Sequence, residues 1–321
     1  MIPLYRPPIV PELEQKMLEC LRSGWWGYGP ECHRLESRLV EHAGGWAVAT
    51  SSCTAALHVA GRMLQVSPDD EVIVPAITFV STPMAFRSCG FRIRVADVDD
   101  ETLLLTEKTA KPLITNRTRA IVVVHLYGQK APVEGLRALC DERGISLVED
   151  CAHRLDLDDK DRPLGDYACY SFNAVKEAPA GEGGLLWCLD ERLESKGRAL
   201  SNLGLAGDTW QRSANLQHRD YQFYSEIGLK LRLQDVAATM ANVMLDNRRN
   251  LHQKRQAVFR YYERALQNCS PELSFAAQLN ERVGMIQLSS GARIKSDSTT
   301  VETIELCMDR ERWLEMKNAE G

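Results

Sequence analysis

A chain of 321 residues with 39 Lys and Arg against 44 Asp and Glu carries a net charge of −5, and 44% of it is hydrophobic against 26% charged. That balance belongs to a globular protein long enough for one large domain and a smaller one. There is no long basic run and no apolar stretch of bilayer-spanning length, which excludes nucleic acid and a membrane as main partners.

The predicted elements begin with a helix. From Pro11 to Leu21 the apolar residues Leu13, Met17, Leu18 and Leu21 share one helical face, and Ser23-Gly24 closes it. Trp25-Trp26-Gly27-Tyr28-Gly29-Pro30 reads as a loop by its glycines and proline, and a second helix follows from Glu31 to His42. The pattern then alternates. Trp46–Thr50 is a short apolar run, Thr54–Leu64 is helical, Glu71–Pro75 is a strand, Thr82–Ser88 a helix and Arg92–Val98 a strand. Ala120–His125 reads as a strongly buried strand, and Val133–Arg143 sets Leu136, Leu139 and Cys140 on one helical face. Ile145–Glu149 is a further strand. Apolar strands alternating with helices imply βα units, hence an α/β fold on a mostly parallel sheet.

Beyond Asp190 the strands thin out. A long helical stretch spans Gln234 to Leu266, with a break near Asp246-Asn247. From Ser270 the chain turns polar, as in Ser289-Ser290-Gly291-Ala292-Arg293-Ile294-Lys295-Ser296-Asp297-Ser298, and offers little core for a small domain. The organisation expected is a large α/β domain over residues 1–200, then a helical segment and a shortened C-terminal domain over 201–321. Ten Cys without a Cys-x-x-Cys pair, several inside apolar or helical patterns (Cys140, Cys151, Cys169, Cys188), read as buried thiols of a reducing compartment. Met1–Pro8 lacks the pattern of a signal peptide, so a cytoplasmic location is expected. The seven His show no zinc-type spacing, and no metal site is expected.

The chemistry-bearing segments fall at strand ends. Ser51-Ser52-Cys53-Thr54-Ala55-Ala56-Leu57 joins a short strand to a helix, where hydroxyls and backbone N–H groups suit either an anion such as phosphate or simple helix capping. Asp150 ends an apolar strand, the usual place for a ligand contact in an open α/β sheet, and equally a place for a cap or turn Asp. His153 lies three residues on, within reach of a ligand or at the surface. Phe79 closely follows a strand and suits ring stacking or the core. Tyr127-Gly128-Gln129 is a turn at a strand's carboxyl end. Ser171 and Lys176 are followed by Gly181-Glu182-Gly183-Gly184. A Lys in a buried strand-to-loop stretch is costly unless its pKa falls or it is modified, whereas an exposed loop is the commoner fate of a single Lys. Taken together, a carboxylate, a Ser, a Lys and a Gly-rich stretch meet the needs of pyridoxal 5'-phosphate (PLP): the Lys forms a Schiff base, and the Asp keeps the pyridine nitrogen protonated.

These motifs resemble those of the DegT/DnrJ/StrS aminotransferases, PLP enzymes of fold type I (aspartate aminotransferase-like) that mostly aminate nucleotide-linked keto sugars. The similarity runs from Ile2 to Leu266 through Ser23-Gly24-Trp25 to Gly29-Pro30, Ser51 to His58, Asp70 to Pro75 and Thr78-Phe79-Val80. It continues through Asp97-Val98-Asp99, His125 to Gln129, Glu149 to His153, Ser171 to Lys176 and Gly181 to Gly184. The resemblance implies that Lys176 is the Schiff-base lysine and proton shuttle, and that Asp150 is the pyridinium partner. It places His153 near the cofactor hydroxyl and Phe79 on the ring. Ser52, Cys53, Thr54, Ala55 and Ser171 fall in the phosphate-holding segments. Glu226-Ile227-Gly228-Leu229-Lys230-Leu231-Arg232-Leu233 resembles the stretch that reaches the partner subunit's cofactor, with Lys230 where many members have Asn; a homodimer with shared active sites is implied.

Two departures shape the expectation. Tyr28 stands in a loop where many members carry small hydroxyl residues, and is assigned to the substrate. The resemblance is expected to fade after Leu266, where members continue into a longer C-terminal domain. The function expected is amino transfer, from a small-molecule donor such as L-glutamate to a keto-sugar acceptor. A cyclitol or another non-sugar ketone is an open alternative, as is a non-catalytic interaction or regulatory protein on the PLP fold. A family dehydratase carries His in place of the lysine, and Lys176 argues against it.

Overall fold

The computed structural model describes residues 6–155, 162–205, 207, 210, 213, 227–266, 273–275 and 288–290. Glu226 and the polar stretch 291–298 lie outside them. Chain order is α1 (Pro11–Ser23), α2 (Pro30–Ala43), β1 (Trp46–Thr50), α3 (Cys53–Met63), β2 (Glu71–Pro75), α4 (Ser81–Ser88), β3 (Arg92–Ala96), α5 (Glu107–Ala110) and β4 (Thr118–Val124). There follow α6 (Val133–Arg143), β5 (Ser146–Cys151), β6 (Tyr167–Ser171), β7 (Gly184–Cys188), α7 (Glu194–Leu200), α8 (Asp235–Asp246), α9 (Arg248–Leu266), β8 (Leu273–Phe275) and β9 (Leu288–Ser290).

Seven strands form one sheet in the order β1-β7-β6-β5-β4-β2-β3, and β8 pairs with β9 in a separate two-stranded sheet. Strands β2 to β6 run parallel to one another, and β7 is antiparallel to both β6 and β1. The apolar strand runs are explained by cover on both faces. Val48, Val72, Ala120 and Val122 pack with α3 and α4, while Ala47, Ala49, Ile121 and Val123 face the layer that holds α1, α2, α6 and α8. Each fully buried Val, Ile or Leu in these layers contributes roughly 1.5–3 kcal/mol over an exposed one.

Asp235, the first residue of α8, is buried and caps α2. Its carboxylate accepts the N–H groups of Gly29 at 2.9 Å, Cys32 at 3.0 Å and Glu31 at 3.1 Å. That satisfies donors the helix cannot satisfy itself and sets a negative charge at its positive end. α8, which lies past the boundary expected after residue 200, shares one core with α1 and α2. The helical stretch breaks at Asn247, as the sequence predicts, and α9 starts there.

Two strands were not singled out by periodicity. Tyr167–Ser171 and Gly184–Cys188 are five-residue apolar runs without alternation, which pattern alone does not separate from helix or loop. The strand expected over Ile145–Glu149 extends to Cys151, so Asp150 lies within β5, paired with Val124 of β4 and Cys169 of β6. Among the described residues no helix is long and apolar enough to cross a membrane.

Candidate active site

The site gathers at the carboxyl ends of β4, β5 and β6, where the parallel strands feed into loops. Asp150 is buried there. Its Oδ2 accepts the Thr82 hydroxyl at 2.7 Å, and its Oδ1 accepts the Ala152 N–H at 3.0 Å. Cys53 Sγ approaches Oδ1 at 3.8 Å. Burial pushes the Asp150 carboxyl above its ordinary value, against the Thr82 and Ala152 bonds and the charges of His125 and Lys176. A buried carboxylate held in that way favours a cationic partner.

Lys176 sits in the loop between β6 and β7, half-buried. The loop is cinched at its base by Phe172 N–H to Gly183 O at 2.9 Å, Ala180 N–H to Phe172 O at 2.8 Å and Ala174 N–H to Gly181 O at 2.9 Å. Gly181 has φ +80°, a turn conformation that a side chain would strain. Burial pushes the Lys176 ammonium below its ordinary value, with Asp150 and Cys53 pulling the other way. An amine brought down in that way is a better nucleophile and proton carrier near neutral pH.

Ser52 has extended backbone and caps α3, its Oγ accepting the Ala55 N–H at 3.1 Å. Helix geometry leaves the first-turn N–H groups of Cys53 and Thr54 for an outside acceptor. Thr50, Gly184 and Ser171 are paired side by side across β1, β7 and β6, so cap, Gly-rich stretch and Ser171 form one row. A Cβ on Gly184 would lie 2.3 Å from the Ser52 carbonyl carbon and 2.4 Å from the Cys53 nitrogen; β7 passes directly beneath the cap. Ser171 Oγ accepts the Asn173 N–H at 3.3 Å. Cys53 is the exception in its segment, for its thiol turns to Asp150 and the Cys169 carbonyl rather than to the free N–H groups of the helix start.

His153 accepts the Tyr127 N–H on Nδ1 at 3.2 Å, which leaves the ring proton on Nε2. Burial, followed by the charge of Lys176, lowers it to about 4, so the imidazole is neutral and offers an N–H donor. Tyr127 stacks on it with ring centroids 5.8 Å apart. Phe79 is 71% exposed on this chain, so its ring is open to another group. Lys230 is exposed in a segment bridged to Asn202.

Tyr28 is a correction. It is not open to a substrate but buried, its hydroxyl bonded to Glu36 and accepting Arg198 Nη1 at 2.9 Å. The Arg232 guanidinium lies 4.3 Å over its ring. Burial raises the tyrosine pKa, and the Glu36 charge adds to that. Glu36, which burial alone would push up, is brought below the carboxylate range by His33, Arg198, Tyr28 and the Ala49 N–H.

His125, Glu149 and Cys151 place three ligand-type atoms within 4.8 Å of one another. Hydrogen bonds account for His125 and Glu149. His125 Nδ1 accepts the Ala131 N–H at 3.1 Å, so the proton is on Nε2, which donates to Glu149 Oε2 at 2.8 Å. Glu149 Oε1 takes the N–H groups of Leu164 at 2.7 Å and Gly165 at 2.6 Å. Burial holds the Cys151 thiol far from ionising. The set ties β4 and β5 to the loop before β6.

Sequence reasoning missed Thr82. A faint signal exists: Thr78 and Thr82 stand four apart, and their hydroxyls meet at 2.8 Å. The donor to Asp150 comes from an element 68 residues away, which no local pattern reveals.

A buried carboxylate, a lysine of lowered pKa, a capped helix N-terminus over a glycine and a neutral His N–H together fit PLP. The model of the DegT/DnrJ/EryC1/StrS aminotransferase family matches residues 7–310. The chain belongs to this family. It is a PLP-dependent aminotransferase of fold type I. The match reaches well beyond Leu266, where the resemblance was expected to fade.

Solved relatives agree. The chain is 29% identical to the aminotransferase TlmJ of Streptoalloteichus hindustanus, covering 86% of this chain and 74% of that one at a TM-score of 0.77. It is 25% identical to the sugar aminotransferase CalS13 of Micromonospora echinospora, covering 90% and 80% at a TM-score of 0.76. Spr1654 of Streptococcus pneumoniae, an aminotransferase solved in PLP and pyridoxamine phosphate (PMP) forms, is 26% identical, covering 88% of this chain and 75% of that one in the PLP form at a TM-score of 0.76.

Proposed function

We propose that this aminotransferase takes the amino group of L-glutamate and delivers it to the keto carbon of a nucleotide-linked sugar, in a homodimer whose two sites are shared. The observation that carries the reading is Lys176: a half-buried amine of lowered pKa, acted on by the buried Asp150, at the mouth of strands β5 and β6. The family and the sugar aminotransferase CalS13 among its relatives support a sugar acceptor.

PLP, when bound, supplies an electron sink that stabilises a carbanion next to the nitrogen being transferred. The chain's residues do the rest. Asp150 holds the proton on the ring nitrogen, and the charge it meets there relieves its own burial. The N-terminus of α3, with Ser52, Cys53, Thr54 and Ala55, takes the phosphate together with Ser171. His153 donates from Nε2 to the cofactor's phenolic oxygen, and Phe79 covers the ring. Lys176 carries the proton between substrate carbon and cofactor. Lys230 serves the partner subunit's phosphate as a point charge. The amino acid leaves as its 2-oxo acid, and the ketone leaves as an amine.

The test is a visible spectrum of the purified protein with PLP, before and after L-glutamate. Loss of the lysine-bound cofactor band with appearance of pyridoxamine phosphate supports lysine, cofactor and donor together. Lys176→Ala is expected to lack that band and all turnover; an unchanged band in the variant would sink the assignment. Amination of a keto-sugar nucleotide, and not of a free cyclitol ketone, then tests the acceptor.

A further inference from the structure

We propose that Arg255 of α9 is a positioning residue for Lys176, clamping the main chain from which the lysine side chain hangs. The inference rests on the reading of Lys176 as the residue that bonds the cofactor.

Among the described residues, the backbone hydrogen bonds that tie the loop from Phe172 to Gly183 into the sheet lie at its base. Its tip, from Val175 to Pro179, lies beyond the last of those hydrogen bonds. Within the tip, Lys176 N–H reaches Asn173 O at 2.9 Å and Val175 N–H reaches Asn173 Oδ1 at 3.2 Å. These bonds shape the turn but do not anchor it to the rest of the protein. Two others do. Glu177 Oε2 accepts the Leu155 N–H at 3.2 Å, fastening the turn to the segment that carries His153. From the opposite side Arg255 Nη2 donates to the carbonyl of Lys176 at 3.2 Å, and Nη1 donates to the carbonyl of Glu177 at 3.2 Å.

A planar guanidinium whose two nitrogens meet two consecutive carbonyls fixes the direction of that peptide as well as its position. Arg255 is itself mostly enclosed, and burial lowers its pKa while the Glu177 charge opposes that. The charge is therefore spent on the turn rather than on solvent. Its helix starts anew at Asn247 and leads toward β8 and β9, so the clamp joins the lysine to the C-terminal part of the chain. Arg255 touches neither Asp150 nor the cup formed by Ser52 and α3.

That separation gives the proposal a signature. PLP binding includes the bond to Lys176, whereas PMP is held only by contacts that Arg255 does not make. The experiment measures equilibrium binding of PLP and of PMP to the full chain, and the rate at which the lysine-bound band appears on mixing with PLP. For Arg255→Ala we expect PLP affinity and band formation to fall roughly tenfold, with PMP affinity unchanged within about twofold. Arg255→Lys, which keeps a charged donor, should recover part of the rate. Equal losses for both cofactors, or no loss for either, would overturn the clamp. Should Arg255→Ala fail to fold by circular dichroism, Arg255→Gln keeps length and an amide donor, and the same PLP-to-PMP comparison decides. If the wild-type chain binds PLP without forming the band, the reading of Lys176 fails and the clamp falls with it. If wild type forms the band and Arg255→Ala matches it, only the clamp fails.

Discussion

Asp150 and Lys176 would carry opposite charges at the centre of the site, and burial works against both, raising the carboxyl and lowering the amine. A carboxyl raised by folding costs stability above its folded pKa and nothing below its unfolded one. Asp150→Asn should therefore give an apo-protein that melts higher than wild type at pH 7, with the gap closing as pH falls through the carboxyl range. The same variant should lose turnover by two orders of magnitude or more, because the ring nitrogen loses its anion. Melting curves at pH 7 and 4 check this; a lower melting point at pH 7 would mean that the carboxylate is structural. His153 runs the other way. Its folded pKa of about 4 lies below the 6.5 of a free imidazole. The unfolded chain binds the extra proton between those values, so this residue's share of stability is whole above 6.5 and is lost as pH falls toward 4. His153→Gln should flatten that dependence, read as the difference in urea midpoint between pH 7 and pH 5. The placement of Lys176 and Asp150 was legible in the sequence, because their segments join strand to loop. Tyr28 was not, since a loop residue turned inward by Glu36, Arg198 and Arg232 looks locally like any exposed one.

At the scale of elements, the proposed phosphate cup is a matter of how β7 supports α3. The row Thr50–Gly184–Ser171 brings the strand under the helix start, and only a residue without Cβ fits there. Gly184→Ala would push a carbon to within 2.3 Å of Ser52 backbone, not of a flexible side chain. Backbone must move, at a cost of about 1–3 kcal/mol. The expected result is a lower melting temperature together with weaker PMP binding, since the cup itself shifts. A melting loss with unchanged PMP affinity would show that the strand yields instead of the cup. The elements legible beforehand were those with a helical period or a run of β-branched residues. Glu71–Pro75 and Val133–Arg143 were placed to the residue. β6 and β7 were not, because their five-residue runs carry no period, and their strand character comes from pairing with each other and with β1 and β5. The Asp235 cap on α2 and the Arg255 clamp join residues about 200 and 80 positions apart, where pattern is silent and packing decides.

At the scale of the whole molecule, several large apolar side chains lie exposed beside the site. Ile77, Phe79, Val80 and Met84 follow one another from the end of β2 into α4, and Ile227 and Leu229 precede Lys230. Exposed apolar side chains of this kind mark a candidate interface, which the proposed homodimer would cover. In a two-fold dimer each subunit can complete the other's site, and a mixing experiment tests that directly. Lys176→Ala and Lys230→Ala homodimers should each be impaired, the first fully. After subunit exchange between them, a hybrid dimer holds one site with both lysines and one with neither. Random pairing makes about half the dimers hybrid, so activity should return to about a quarter of wild type. The outcome depends on which chain supplies Lys230. Were Lys230 to act within its own subunit, every site in every mixture would lack one lysine or the other, and mixing would give only the average of the two parents. Recovery above that average therefore carries two conclusions at once, that the molecule is a dimer and that its active sites are built across the interface. Phe79→Ser belongs in the same experiment. If the exposed ring lies at the joint, this variant should shift the protein toward monomer at low concentration and suppress the recovery in proportion.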